Sequence, residues 1–242
     1  MQKGAVYDPV RLAEETLPLV AEGHRRKYYR FRAARFYGGI ATADCVGCCL
    51  RCAFCWAYDR AANPERPGSF FSPEQAAARI AEIARRHRLR RARLSGNEPT
   101  LAREHLLDLL GRLPRSLGFM LETNGILIGH DAGYAAELAT FENLHVRVSL
   151  KGSTPEEFQR LTGADPGAFR LPLQALENLL RAGVSCHAAA MMSFSPPEAR
   201  SSLRRILREI HPSLADLEEE DAFFNQAIER RLGEAGVTRA SR

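Results

Sequence analysis

The chain has 242 residues, a length typical of one α/β domain with a substantial core. Hydrophobic residues make up 45% and charged residues 26%, which is the ordinary balance of a soluble globular protein. No apolar run approaches the roughly 20 residues that a membrane-spanning helix needs, and the N-terminus lacks the basic-then-apolar order of a secretion signal. We therefore expect a cytoplasmic protein that does not bind a membrane.

The net charge of +5 is unevenly distributed along the chain. Residues 24–37 (HRRKYYRFRAARFY) interleave basic and aromatic side chains, and residues 85–93 (RRHRLRRAR) are strongly basic. Segments of this kind can bind nucleic acid. A solvated face whose arginine stems pack on neighbouring surface produces the same pattern. Composition leaves both interpretations open.

The predicted elements of the first half begin with an apolar-periodic helix at 9–21 and a short buried strand at 39–43 that leads into a cysteine-rich loop. Ser72, Pro73 and Gln75 form a capping box that starts a helix ending near residue 87. The elements that follow are a strand at 92–95, a helix at 102–113, a strand at 119–122 and a helix at 132–139.

The second half continues the alternation of strand and helix. Residues 146–150 predict a strand, and Thr154 to Glu157 form a second capping box. A helix at 171–182, a strand at 184–192 and a helix at 197–210 follow. The pattern is weaker beyond this point, where we expect a sixth strand at 222–225 and a last helix at 226–233.

Strands that alternate with helices every 25 to 40 residues or so predict βαβ units and a parallel sheet. Such sheets place their reactive loops at the carboxyl ends of the strands, so motifs at these ends are expected to share one site. The sequence contains no internal repeat or clear linker. We expect one domain with a helical, basic N-terminal extension (1–38), a core (39–225) and a C-terminal helix and tail (226–242).

Five of the six cysteines fall between residues 45 and 55. Thiols packed into one loop indicate a metal or catalytic site more than a set of disulfides. They form two overlapping triplets of the form C-x3-C-x2-C, which are Cys45, Cys49 and Cys52 or Cys48, Cys52 and Cys55. Spacing alone does not choose between them, but the residue before the third cysteine is Arg51 in the first and Phe54 in the second. Three thiolates on a four-iron cluster would leave one iron open to a cofactor.

Residues 47–56 (GCCLRCAFCW) resemble the CxxxCxΦC signature of the radical SAM superfamily. The resemblance implies that the cluster ligands are Cys48, Cys52 and Cys55, and that Cys45 and Cys49 are free thiols. A zinc knuckle or a redox CxxC pair is the alternative. Structural zinc commonly takes four ligands in two separated pairs, and no second Cys/His pair follows in the sequence.

Three further segments resemble motifs of the same superfamily. Residues 95–100 (SGNEPT) resemble the GGE motif that holds the amino end of S-adenosylmethionine, although Asn97 replaces the second glycine. Residues 122–125 (ETNG) and 148–152 (VSLKG) resemble segments of the glycyl-radical-enzyme activases, with Ser149 where that pattern has aspartate. Lys151 could pair with the carboxylate of S-adenosylmethionine. The implied contacts to S-adenosylmethionine are Phe54, Gly96, Asn97, Glu98, Thr123, Asn124, Ser149 and Lys151.

The methionines, histidines and acidic residues elsewhere in the chain are expected to have structural roles only. Met191 and Met192 are expected in the core more than against an adenine ring. His105, His145 and His187 have no partners at metal-ligand spacing, so we assign them no chemistry. The acidic segment 218–221 (EEED) is expected to be a solvated face.

Taken together, the resemblance implies an α/β fold, an incomplete (β/α)6 barrel of parallel strands with helices outside. It also implies a [4Fe-4S] cluster and a 5′-deoxyadenosyl radical that abstracts hydrogen from a substrate, with a flavodoxin- or ferredoxin-like electron donor. The short chain resembles activases that act on a protein partner, and Cys186 alone follows Cys55, so no auxiliary cluster is expected. The alternatives are radical modification of RNA or a small metabolite, or a non-enzymatic binding module stabilised by zinc or a cluster.

Overall fold

The computed structural model describes residues 6–238. Its strands are β1 (Ala21–Glu22), β2 (Arg25–Ala34), β3 (Ile40–Cys45), β4 (Ser69–Phe71), β5 (Arg91–Gly96), β6 (Gly118–Thr123), β7 (Leu144–Leu150), β8 (Ser185–Met191) and β9 (Glu218–Glu220). Its α-helices are α1 (Pro9–Val20), α2 (Tyr58–Ala62), α3 (Pro73–Arg86), α4 (Arg103–Arg112), α5 (Ile126–His130), α6 (Ala132–Leu138), α7 (Pro155–Thr162), α8 (Arg170–Arg181), α9 (Pro197–Ile210) and α10 (Gln226–Glu234). Short 3-10 helices lie at Phe36–Gly38, Pro99–Leu101, Pro166–Phe169 and Pro212–Ala215.

Six strands form a parallel sheet in the order β3-β5-β6-β7-β8-β9, and β2 extends it by pairing antiparallel with β3. Most connections between these parallel strands contain a helix, as in the predicted barrel. The helix starts follow local chemistry, since Ser72 and Gln75 form the predicted capping box and the side chain of Thr154 accepts from the amide of Glu157. The described residues contain no helix long and apolar enough to span a bilayer.

Alternate residues of each strand face opposite sides of the sheet. One side packs on the helices and forms the core, with residues such as Leu94, Leu121 and Val146 fully buried. The other, concave side is polar. The strand register places Thr42 beside Arg93 and Glu122 beside Arg147 on that side. The sheet therefore carries charged side chains toward the interior of the incomplete barrel.

The basic segment at 24–37 is mainly a strand of this sheet. Arg26 is 1% exposed and donates to three backbone carbonyl oxygens, while Lys27 is 7% exposed and donates to two. The Tyr28 side chain is also buried, against Phe31 and His105. Much of the basic-aromatic pattern thus holds the N-terminal part of the chain to the sheet, which leaves fewer of these side chains for nucleic acid.

The sixth parallel strand is β9, at Glu218–Glu220, so the prediction of a strand at 222–225 was wrong. Three consecutive glutamates have low strand propensity, which hid this element. Glu218 and Glu220 pair with Arg147 of β7, Glu219 pairs with Arg204 of α9, and Glu218 accepts a hydrogen bond from His187 of β8. Ion pairing between elements far apart in sequence thus accounts for a strand that local propensity disfavours.

Candidate functional site

A cavity of about 250 Å³ opens at the carboxyl ends of the parallel strands. Its wall includes residues that follow β3, β5, β6, β7 and β9. All the sequence-predicted site residues line it, namely Cys48, Cys52, Phe54, Cys55, Gly96, Asn97, Glu98, Thr123, Asn124, Ser149 and Lys151. The fold therefore brings these separate motifs to one place, as expected for loops at the same end of a parallel sheet. Their individual roles stay predictions.

The cysteine loop leaves β3 at Cys45 and is fixed by backbone hydrogen bonds. The amide of Gly47 donates to the carbonyl of Arg60 at 3.0 Å, and the amide of Ala53 donates to the carbonyl of Leu161 at 2.8 Å. Cys48, Cys52 and Cys55 line the cavity. In contrast, Cys45 and Cys49 are fully buried and are not among the residues of its wall.

The thiols in this loop are electrostatically linked. A hydrogen bond from Cys49 lowers the pKa of Cys48, and the same bond raises the pKa of Cys49. Asn124 Nδ2 donates to Cys49 Sγ at 3.2 Å and lies 3.6 Å from Cys48 Sγ. Burial raises the pKa of Cys52, and it raises the pKa of Cys55 to about 11.

Cysteine thiolates can hold either a single metal ion or an iron–sulfur cluster. In residues 6–238, no group of three or more His, Cys, Asp or Glu side chains is placed to hold a metal ion. Cys48, Cys52 and Cys55 would hold a four-iron cluster, which would supply redox chemistry in the cavity. Three soft sulfur donors on the wall of one open cavity are chemically suited to such a cluster.

Glu98, which is predicted to contact the amino end of S-adenosylmethionine, lines the cavity and also makes several hydrogen bonds inside the protein. Its carboxylate is 1% exposed and accepts hydrogen bonds from Thr100 Oγ1 at 2.7 Å, Thr123 Oγ1 at 2.7 Å and the Asn124 amide at 2.8 Å, besides the Thr100 amide. Burial raises its pKa, although these donors oppose the shift. The carboxylate therefore joins the loops after β5 and β6.

Asn97 offers a further hydrogen-bond acceptor at the cavity. Asn97 Nδ2 donates to the Ala57 carbonyl at 3.2 Å, whereas its Oδ1 is buried and has no hydrogen-bond partner among the described residues. Buried oxygens without a partner are rare in folded proteins. An ammonium group bound in the cavity would satisfy this one, so the residues present fit S-adenosylmethionine.

A charged network that the sequence did not reveal lines another part of the cavity. Arg147 donates two hydrogen bonds to Glu218, both at 2.9 Å, and pairs with Glu220 at 2.9 Å. Lys151 Nζ donates to Ser149 Oγ at 2.5 Å, and Ser149 Oγ donates to Glu220 Oε2 at 2.9 Å. Glu220 and Asp221 line the cavity, and Glu220 is half-buried, so the expectation of a solvated acidic face was wrong for Glu220, whereas Glu218, Glu219 and Asp221 are exposed as expected.

The same network shifts two carboxyl pKa values downward. The hydrogen bond from Arg147 lowers the pKa of Glu218 to about 2. For Glu220, burial acts upward, but the charges of Lys151 and Arg147 lower the pKa overall. The sequence did contain one signal of this network. Glu218 and Glu220 are two residues apart, so they share one face of a strand.

Aromatic residues surround the mouth of the cavity. Phe54 packs 5.7 Å from the ring of Phe194 and 5.9 Å from Lys151 Nζ. Trp56 is 54% exposed and Phe223 is 69% exposed, and both line the opening. Apolar rings at an opening give a binding partner contact area next to the reactive cavity.

The methionines and histidines named in the sequence analysis lie in the core or on the sheet. Met191 and Met192 are buried in the core, as expected, and Met191 also lines the cavity. His145 and His187 stack with ring centres 4.9 Å apart, and His187 Nε2 lies 2.9 Å from Glu218 Oε2. His105 is buried on the other side of the sheet, against Tyr28.

Comparisons with known proteins found a matching family and related sequences. The model of the radical SAM superfamily matches residues 44–210. A probable GTP 3′,8-cyclase of Methanosarcina mazei is 29% identical over 148 residues, which cover 61% of this chain and 43% of that protein. The corresponding protein of Methanosarcina acetivorans is 26% identical over 218 residues, covering 82% of this chain and 63% of that protein. The chain thus spans less than two thirds of the length of these curated relatives.

Solved structures share the fold. SuiB of Streptococcus suis bound to S-adenosylmethionine superposes with a TM-score of 0.62 at 18% identity, covering 81% of this chain and 42% of that one. SuiB bound to the precursor peptide SuiA gives a TM-score of 0.60 at 19% identity, with coverages of 76% and 39%. Native anSMEcpe with bound AdoMet gives 0.56 at 20% identity, with coverages of 74% and 49%. At these identities the likeness concerns the fold.

Proposed function

The chain belongs to the radical SAM superfamily, and we propose that Cys48, Cys52 and Cys55 hold its [4Fe-4S] cluster. It is a radical SAM enzyme, so its cofactors are this cluster and S-adenosylmethionine. When bound, they supply a reductive cleavage that yields a 5′-deoxyadenosyl radical for hydrogen abstraction. The observation that carries the ligand assignment is that these three thiols line the cavity, whereas Cys45 and Cys49 do not.

In this proposal, residues that follow β5 and β7 position S-adenosylmethionine. Asn97 Oδ1 accepts a hydrogen bond from its amino group, and the Lys151 ammonium pairs with its carboxylate, since a desolvated anion needs a cationic partner. Gly96 has no side chain, so the backbone at the end of β5 can approach S-adenosylmethionine closely. Glu98 keeps the loops after β5 and β6 together by accepting from Thr123 and the Asn124 amide.

We propose that the hydrogen atom comes from a polypeptide segment docked at the open side of the barrel, as in the activase-like interpretation. The exposed rings of Trp56 and Phe223 at the cavity mouth support a substrate with apolar contact area. The SuiB structure with its precursor peptide gives a precedent on this fold. An RNA substrate has less support, because Arg26 and Lys27 of the basic segment are used inside the protein.

A nucleotide substrate is the second candidate. It is favoured by one specific observation, which is that the curated relatives of Methanosarcina species are probable GTP 3′,8-cyclases. Because this chain covers less than two thirds of those proteins, GTP is a candidate substrate here and is not assigned from them.

The test is anaerobic reconstitution with iron and sulfide, followed by a strong reductant and S-adenosylmethionine. We expect about four irons per chain and release of 5′-deoxyadenosine. Deuterium-labelled peptides and deuterated GTP are then offered separately, and the label is followed into 5′-deoxyadenosine. Label from the peptide supports the first candidate, and label from GTP supports the second. Zinc in place of iron, with no cleavage, would overturn the whole assignment.

A further inference from the structure

A pair of arginines on β2 lies at the edge of the barrel, outside the site described above. Arg30 Nε donates to Asp44 Oδ2 at 2.6 Å, and Arg32 Nε lies 3.7 Å from the same oxygen. The Asp44 side chain is 1% exposed, whereas those of Arg30 and Arg32 are 38% and 31% exposed. One buried carboxylate thus serves two accessible guanidinium groups, which leaves a net positive charge. We call these two residues the β2 arginine pair.

The β2 arginine pair adjoins the cavity through an aromatic side chain. The Arg30 guanidinium lies 5.5 Å from the ring of Trp56, which is exposed and lines the cavity mouth. It also lies 5.5 Å from the ring of Tyr29, over which Arg60 lies at 4.4 Å. Guanidinium groups held on aromatic rings are fixed in direction without using their hydrogen-bond donors.

Buried polar atoms without a hydrogen-bond partner among the described residues are concentrated around this pair. Eight buried side-chain atoms have no partner in the described part of the chain, and five of them belong to this cluster: Tyr29 OH, Arg32 Nε, Thr42 Oγ1, Asp44 Oδ1 and Arg60 Nε. The strand register places Thr42 directly beside Arg32. The Arg32 guanidinium makes no hydrogen bond to any residue within 6–238, and Arg30 uses Nε alone. Four of these five atoms, all except Asp44 Oδ1, can donate a hydrogen bond, which is the interaction that an anionic ligand accepts.

The opposite edge of the sheet carries acidic side chains. Strand β9 carries Glu218 and Glu220 and is followed by Asp221, which lines the same cavity. Glu218 and Glu220 are paired with Arg147, whereas the β2 arginine pair carries more positive charge than Asp44 neutralises, so an anionic group is attracted to the β2 side.

We infer that the β2 arginine pair binds an anionic group of the substrate, a carboxylate or a phosphate, with Trp56 packed beside it. This inference rests on the proposed function and narrows its substrate to a molecule with an acidic group near the reacting hydrogen. The exposed terminal N–H groups of two guanidinium forks match the paired oxygens of either anion. The pair positions the substrate and takes no part in bond breaking.

The test uses Trp56, the single tryptophan of the chain, as an intrinsic fluorescent probe. GTP and an end-capped peptide with two adjacent glutamates are titrated separately into the reconstituted protein, with the matching glutamine peptide as a neutral comparison. We expect saturable quenching by at least one anionic probe. Saturation by GTP alone identifies a phosphate, saturation by the acidic peptide alone a carboxylate, and either outcome supports the site.

The variant R32Q should raise the dissociation constant of the anionic probe by about tenfold, because one charge-assisted interaction is lost. Arg30 stays on Asp44 in this variant, and a melting curve checks that it folds. The variant R32K keeps the charge but lacks the fork, so we expect an intermediate affinity. The matched control is R25Q on the same strand, whose exposed side chain pairs with Glu22 and should leave binding unchanged.

The inference is overturned if neither anionic probe changes Trp56 fluorescence, or if R32Q and R25Q weaken binding equally. Cleavage of S-adenosylmethionine by the unmodified protein is measured separately. Intact cleavage without anion binding would reject the β2 arginine pair alone, whereas absent cleavage would reject the proposed function.

Discussion

Arg231 Nη2 donates a hydrogen bond to the carbonyl oxygen of Cys55 at 2.7 Å, across a sequence separation of 176 residues. Its Nε donates to the carbonyl of Ala53 at 3.0 Å, and its guanidinium lies 4.6 Å from the ring of Tyr58. Arg231 belongs to α10, which follows the last strand of the sheet, whereas the cysteine loop follows β3. One side chain therefore ties the two ends of the incomplete barrel together.

Replacing Arg231 with glutamine should loosen the cysteine loop. The loss of a two-point, charge-assisted contact removes roughly 1.5–3 kcal/mol of local stabilisation. We expect faster amide hydrogen exchange in residues 52–58 and faster loss of iron to a chelator. The control is R230Q, because Arg230 is the exposed neighbour on the same helix. Equal exchange in R231Q and the unmodified protein would contradict this role.

The adjacent thiols Cys48 and Cys49 allow a sharp test of ligand assignment. C48A removes a thiol from the cavity wall, so it should abolish cluster-dependent cleavage of S-adenosylmethionine. C49A removes a fully buried thiol that does not line the cavity, so much of the cleavage should persist. Iron content and 5′-deoxyadenosine release measure both effects. Full activity in C48A combined with loss in C49A would mean that the other cysteine triplet holds the cluster.

The sequence predicted the parts of this site that depend on local pattern. The cysteine loop and the segments 95–100 and 122–125 follow strands, and a parallel sheet brings such loops together. It missed the parts that depend on distant pairing. Arg231 meets Cys55 only in the folded chain, and β9 is a strand because Arg147 pairs with two of its glutamates. The basic and aromatic residues of the segment 24–37 were visible, but the strand β2 and the burial of Arg26 and Lys27 were not.

Gly96 should not tolerate a side chain. Its φ is +103°, and an added Cβ would lie 2.6 Å from the backbone nitrogen of Cys45 and 2.8 Å from its oxygen. Backbone atoms cannot move aside cheaply, so G96A should destabilise the fold by about 1–3 kcal/mol or more. Urea denaturation measures the free energy of unfolding.

Gly111 provides the matched control for this substitution. It lies inside α4, and the nearest atom to an added Cβ is on Phe141 at 3.9 Å. G111A should therefore stabilise the protein by up to about 1 kcal/mol, because alanine favours the helix. An unfolding free energy for G96A equal to that of the unmodified protein would show that β5 and β3 are less closely packed than described.

Asn97 should contribute to the affinity for S-adenosylmethionine. N97A removes the buried oxygen that has no partner within residues 6–238, so binding should weaken by about tenfold if that oxygen accepts from the charged amino group. N97G matches the glycine of the family pattern but should lose the same factor. Calorimetric titration of the reconstituted protein measures the dissociation constant. The control is N143A, since Asn143 lies beside Leu117, away from the cavity. Unchanged affinity in N97A would remove this contact from the proposal.

His105 should make the stability of the fold depend on pH. Burial lowers its pKa from 6.5 to about 4. Its Nδ1 lies 2.8 Å from the carbonyl of His24, which can only accept, so Nδ1 carries the proton and Nε2 accepts from Tyr28 OH at 2.7 Å. The neutral ring is thus the form that the folded chain holds.

Between pH 6.5 and about 4, the unfolded chain binds a proton at His105 that the folded chain does not. The unfolding free energy therefore falls as the pH falls through this window and levels off below it, with a total loss of up to about 3 kcal/mol. Urea denaturation at several pH values should show a steeper decline for the unmodified protein than for H105Q, which cannot titrate there. H130Q, at the end of α5, should retain the steep decline. Parallel curves for the unmodified protein and H105Q would show that the pKa of His105 is not lowered.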